Sequence, residues 1–159
     1  MGFRMPWAAI ARLGQAHWFF GNVYEAVVDV PRLLADARPN RAPGLLAAGS
    51  PVRYYMPAAP VTLAATAVAL ARSGGDRRDV ATAAAGTLVA AALTVYLVRT
   101  VNLRLLRDTE PLTDDDRRRL TTTWHRGNLL RLLALAVAAS ATRRATRRSD
   151  RPARFDQPG

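Results

Sequence analysis

An arginine near the middle of an otherwise apolar helical stretch is the feature that most constrains this chain. In TDDDRRRLTTTWHRGNLLRLLALAVAASAT, residues 113–142, Arg131 falls close to the centre of the apolar run 121–142. Trp124, Asn128 and Arg131 are spaced i, i+4, i+7, so a helix carries all three on one face. Thr113 is placed to cap the first turn, and Asp114, Asp115 and Asp116 oppose the positive end of the helix dipole. Asp114 and Asp115 can also pair with Arg118 and Arg119 one turn on. A charge at the centre of a membrane span costs roughly 2.5–3.5 kcal/mol on insertion scales unless it meets a partner or water. The fold therefore has to bring a counter-charge to Arg131.

Three further stretches supply helices. Residues 7–30, WAAIARLGQAHWFFGNVYEAVVDV, are long enough to span but carry Arg12, His17, Asn22, Glu25 and Asp29. His17, Gly21 and Glu25 share a face at i, i+4, i+8, with Tyr24 beside them. Arg12 and Gln15 interrupt any short apolar core, which argues against a cleaved signal peptide. Pro31 is expected to end this helix, and RLLADARPNRAPGLLAAGSP reads as a loop outside the bilayer with one short helical turn.

Residues 54–71, YYMPAAPVTLAATAVALA, contain no charge; Pro57 and Pro60 lie near the start, where a missing amide donor costs least. Tyr54 and Tyr55 suit a membrane interface. SGGDRRD is a tight connection in which Asp79 is placed to cap the next helix. Residues 80–98, VATAAAGTLVAAALTVYLV, are again uncharged with no polar face, and this helix is expected to run on through Arg99 and Asn102 towards Arg107, before Pro111. The pattern predicts an all-α, four-helix transmembrane bundle within residues 1–142, with spans near 7–30, 54–72, 80–101 and 121–142. A basic tail, 143–159, with six arginines, is expected to be disordered and to lie on anionic lipid.

Composition narrows the chemistry. Without cysteine, the chain can have no disulfide, thiol nucleophile or cysteine-held metal. All 23 basic residues are arginine, giving a net charge of +11. With the abundance of alanine this points to a GC-rich coding bias, and no nucleic-acid recognition module is visible, so no nucleic-acid partner is expected. A metal site is not expected either, since His17, His125 and Glu25 match no ligand spacing. The expected partners are membrane lipids and an apolar aromatic small molecule, and the expected location is a bacterial plasma membrane.

Alternation of four spans places the polar residues. Glu25 and Asp29 lie late in the first span, Tyr96, Arg99 and Asn102 at the end of the third, and Trp124, His125 and Asn128 early in the fourth, all on one side of the bilayer. Arg131 leans the same way, because helical side chains point towards the N-terminus. The other half is mostly alanine, leucine and valine. A polar, partly wet pocket follows, with Glu25 as the counter-ion of Arg131. The plainer reading is an ion pair that neutralises two charges and fixes packing, with Trp124 as an interface anchor.

The segments GNVYEAVVDVPRLL and VNLRLL, and the pattern Trp124-x3-Asn128-x2-Arg131 leading into an alanine-rich helix, resemble the anthrone oxygenase-like family of small four-span membrane proteins. The resemblance extends over nearly the whole chain in order and spacing, in short pieces. It implies oxidation of anthrones to anthraquinones by dioxygen without metal, flavin or other cofactor. By that resemblance Asn102, Trp124, Asn128 and Arg131 are the matching positions. Some members carry histidine where this chain has Asn128, which speaks against proton transfer there. As an enzyme, the chain would use His17 or Glu25 as base and Arg131 to stabilise a phenolate or enolate, with Trp124, Asn128, Asn102 and Tyr24 around the substrate. Two other readings compete: a protein that holds a lipid or quinone-like amphiphile without chemistry, and a structural membrane component.

Overall fold

The computed structural model describes residues 6–36, 58–107 and 112–147, and every regular element among them is a helix. Alanine and leucine dominate these stretches, and both favour helix more than other residues do. Helix α1, Trp7–Val27, stops at a turn where Asp29 takes a left-handed φ of +50°. The short helix α2, Val30–Asp36, follows at once. The first helix therefore ends before residue 30, and Pro31 opens a helix rather than closing one. At the start of a helix proline's missing donor costs nothing. Tyr54, Tyr55 and Pro57 lie outside the described residues.

Helix α3, Ala58–Ala71, is joined by a short connection to α4, Arg77–Leu97. The cap of α4 is Asp76, which accepts a 2.7 Å hydrogen bond from the Arg78 amide, and not Asp79. Asp79 lies within the first turn and pairs instead with Arg144 at 2.8 Å. Beyond Leu97 the chain widens into a π turn, Val98–Asn102, and resumes as α5, Leu103–Arg107. Helix α6, Asp114–Thr146, is capped by Thr113, whose hydroxyl accepts from the Asp116 amide and donates to the Asp116 carboxylate. That hydrogen bond holds the Asp116 carboxyl below the usual aspartate range. The helix continues four residues past the expected start of the tail at 143, because Ala145 and Thr146 are buried. The tail beyond Arg147 lies outside the described residues.

The four longer helices pack side by side: α1 lies against α3 and α6, and α4 lies along α6. At one end α2, the π turn and the first turns of α6 close over a cluster of Val30, Leu97, Val101, Leu105, Leu120 and Trp124. At the other end Leu70, Ala83, Ala141 and Ala145 meet. The long α4/α6 contact depends on small residues. Gly86 faces the Ala134 carbonyl and Ala138, and Gly75 lies so near the Ala145 backbone that a Cβ would collide with it.

Polar side chains are buried within the apolar core, and large apolar side chains are exposed. Gln15, Asn22, Thr66, Thr87, Asn128, Arg131 and Thr142 are buried, while Phe20, Val61, Leu88, Val89, Leu129, Leu130, Leu133 and Val137 are exposed. Between Arg78 and Arg99 the outer face of α4 presents alanine, leucine, valine and a tyrosine, with no exposed charge. One continuous stretch, Arg77–Leu105, is long and apolar enough to cross a membrane, and only 22% of its most apolar window is buried. The core helix of a soluble protein is mostly buried instead. Helix α3 is apolar but shorter, and α1 and α6 carry more polar residues.

The close approach at Gly75 gives a stability prediction. Gly75→Ala should cost about 1–3 kcal/mol, as overpacking against backbone does. Gly74 has a φ of +55° but open space around it, so Gly74→Ala should cost only about 1 kcal/mol through backbone strain. Thermal unfolding of the two variants followed by circular dichroism checks the order.

Candidate functional site

Arg131 is 4% exposed, and its surroundings are built from three helices. Its Nη2 donates to Glu25 Oε2 at 2.9 Å, joining α6 to α1. Nη2 and Nε both donate to Asn128 Oδ1, at 2.6 and 3.1 Å. Nη1 reaches Thr94 Oγ1 of α4 at 3.5 Å, at the limit of a hydrogen bond. A guanidinium carries five N–H donors in a planar fork, so Nη1 keeps a hydrogen to offer. Asn128 is fixed in turn, because its Nδ2 donates to the Asn22 carbonyl at 3.1 Å. One amide thus orients the cation on one side and ties α6 to α1 on the other.

This network forms one wall of a cavity of about 200 Å³ between α1, α3, α4 and α6. Trp18, Leu97, Val98, Ala58 and Ala59 provide apolar lining; Trp124 closes it from α6. The polar lining is Glu25, Arg131, Asn22, Thr62, Thr94, Asn102 and His17. Asn22 Nδ2 and Asn102 Oδ1 are buried without hydrogen-bond partners. A donor and an acceptor left unpaired beside a cavity each cost about 1–3 kcal/mol, which a ligand with matching groups would recover. The π turn contributes here: it lies directly before Leu103 and carries Asn102 and Val98 to the cavity.

Five of the expected site residues, Arg131, Glu25, His17, Trp124 and Asn102, line this one cavity. Asn128 does not line it; it acts from behind Arg131. Tyr24 is not part of the site, being 60% exposed on the outer face of α1. Tyr96 and Arg99 also point outward. His125 is turned to the rim, 3.3 Å from Asp29 Oδ1, a contact that becomes an ion pair when the imidazole is protonated but lacks hydrogen-bond alignment. Asn22, Thr94 and Trp18 were not singled out from sequence. The signal was present in Gly14, Trp18, Asn22 and Glu25, spaced i, i+4, i+8, i+11, which is the stripe α1 turns to the cavity.

The other half of the bundle, mostly alanine, leucine and valine, also holds one polar cluster. Gln15 Nε2 donates to Thr142 at 3.1 Å and to Thr66 at 3.4 Å, linking α1, α6 and α3. Among the described residues no three histidine, aspartate or glutamate side chains gather to hold a metal ion.

No protein family, curated protein or solved structure matches this chain.

The geometry predicts a graded response at Asn128. Asn128→Leu removes the oxygen that accepts two charge-assisted hydrogen bonds from a buried guanidinium and should lower stability by roughly 3 kcal/mol. Tyr24→Phe, on the outer face, should change it by less than about 0.5 kcal/mol. Melting temperatures in a single detergent provide the comparison.

Proposed function

We propose that this chain is a small integral membrane protein whose four longer helices cross a bilayer, with a cavity that takes an apolar, oxygen-bearing aromatic molecule from the lipid. The observation that carries the reading is the placement of polarity: a buried ion pair and amide network inside, and an outer face of α4 that exposes only alanine, leucine, valine and tyrosine from Ala81 to Tyr96. In water such an outer face would be an association liability; in lipid it is the ordinary surface. An ionisable pair inside a membrane bundle is a functional-site signal by default. The arginine-rich loops and bacterial plasma-membrane location belong to the same proposal.

The resemblance to the anthrone oxygenase-like family supplies the chemistry proposed for the cavity. A base, Glu25 or His17, removes a proton from the methylene of an anthrone. The negative charge moves to the ring oxygen, where the uncommitted Nη1 hydrogen of Arg131 stabilises it. Dioxygen then accepts electrons from the enolate; one oxygen atom becomes the new carbonyl and the other leaves as water, so the methylene is oxidised and oxygen reduced without a further reductant. Trp124 and Trp18 pack on the planar rings, and Asn22 and Asn102 meet ring oxygens. Asn128 positions Arg131 and moves no proton.

A second reading keeps the cavity and drops the reaction: a quinone-like amphiphile or lipid is held without turnover. It is favoured by the 2.9 Å ion pair that engages Glu25 Oε2 with Arg131. Mass spectrometry of small molecules that co-purify with the detergent-extracted protein, together with oxygen uptake in the presence of an anthrone, separates the two. The enzyme reading expects oxygen uptake that falls by about 10²–10³ in Arg131→Gln, the scale for loss of an oxyanion donor. A retained aromatic compound without oxygen uptake supports binding alone. Undiminished turnover in Arg131→Gln would remove Arg131 from the mechanism, and bulk lipid alone in both proteins would reduce the pair to packing.

A further inference from the structure

A second depression of about 370 Å³ runs on the outer surface between α1 and α6, with its mouth at the end of the bundle farthest from the ion pair and its other end at Leu135, one turn from Arg131. Ala16 and Phe19 on α1 and Ala136 and Ala139 on α6 give it apolar walls, beside Ser140 and the buried Gln15. Arg12 and Arg143 stand together at one end of it, because α1 and α6 run antiparallel and Arg12 meets Thr146 there at 3.3 Å. That bond fixes the Arg12 side chain at the mouth of the groove. Arg143 is exposed and has no ion-pair partner among the described residues. From residue 143 to 135 the groove follows α6 for about 12 Å, at 1.5 Å per residue.

The charge around this mouth is one-sided. Arg72, Arg77, Arg78, Arg144 and Arg147 are exposed at the same end. The acidic groups described there are Asp76, occupied in capping α4, and Asp79, paired with Arg144. A cation pair at the head of an apolar channel, inside a collar of positive charge, complements one kind of lipid. The phosphate of an anionic headgroup meets the two guanidiniums, and an acyl chain lies along alanine and phenylalanine. Arginine suits this role because its planar donor fork matches phosphate oxygens, and basic clusters at helix ends recognise anionic lipid in this way.

We propose that the α1/α6 groove is a binding site for an anionic glycerophospholipid, held by Arg12 and Arg143; this rests on the membrane placement proposed above and is independent of the internal cavity. The full chain in detergent, titrated with phosphatidylglycerol and with phosphatidylcholine of the same acyl chains, gives the test by native mass spectrometry. The expected result is about tenfold or greater preference for phosphatidylglycerol, falling about fivefold in Arg143→Ala. Arg147→Ala, which removes the same charge outside the groove, should leave the preference nearly intact. Ala139→Phe, which fills the groove and keeps every charge, should lose it. Equal uptake of both lipids, or equal losses in Arg143→Ala and Arg147→Ala, overturns the site in favour of diffuse surface charge. A chain that needs detergent and keeps its cavity ligand, yet takes up both lipids equally, defeats this inference and spares the proposed function. A chain that stays in solution without detergent defeats both.

Discussion

The structure is arranged around one buried guanidinium. Arg131 is 4% exposed on α6, and Trp124, seven residues upstream, is fully buried. Breaking a buried ion pair by removing one partner costs about 3–5 kcal/mol, comparable with a large part of a small protein's stability. That cost explains why three helices supply acceptors to one side chain. Glu25 neutralises it, Asn128 accepts twice, and Thr94 stands on the remaining edge. The same requirement fixes rotation: α1 must turn Asn22 and Glu25 inward, which leaves Phe20, Tyr24 and Val27 outward.

Apolar surface outside and polar groups inside are then two aspects of the same arrangement. Helices that are alanine-rich on all sides have little to choose between faces, so hydrogen bonds and ion pairs select the registry. Gln15 with Thr66 and Thr142 serves this purpose at one end, Asn128 with Arg131 and Glu25 at the other. Between them, Gly86 against Ala134 and Ala138 lets α4 and α6 approach closely. Such small-residue contacts are how helices pack where apolar surroundings give no hydrophobic drive. The cavity lies where the polar network meets Trp18 and Trp124.

Much of this was legible in the residue order, for definable reasons. Four helices follow from the lengths of the apolar stretches, and alternating direction brings Glu25 and Arg131 to one level, where they pair. What direction cannot give is rotation. Tyr24, next to Glu25 in sequence, lies about 100° away around the helix and faces outward. Tyr96 and Arg99 share the right level with Asn102 but the wrong azimuth, and the π turn that shifts the azimuth has no marker in VRTVN. The cap expected at Asp79 falls one turn earlier, at Asp76, and Asp79 meets Arg144 on another helix instead. The Gln15 cluster was hidden because threonines pass for small apolar residues in a hydropathy pattern, although each carries a hydroxyl that a buried amide can use.

The central claim is that the exposed apolar face is a lipid-facing surface surrounding a polar interior. The absence of cysteine allows a direct measurement, since single cysteines can be introduced one at a time into an otherwise unreactive chain. Cysteines at Phe20, Leu88 and Leu133, all exposed in the structure, would be treated in native membranes with a water-soluble maleimide, beside a control at the exposed Arg118. The account predicts that the Arg118 position reacts once the membranes are opened, while the other three stay unlabelled until the protein is denatured, because a thiol in hydrocarbon does not ionise. Labelling at Leu88 and Leu133 as fast as at the control would mean that water reaches this surface, and the membrane bundle would be contradicted.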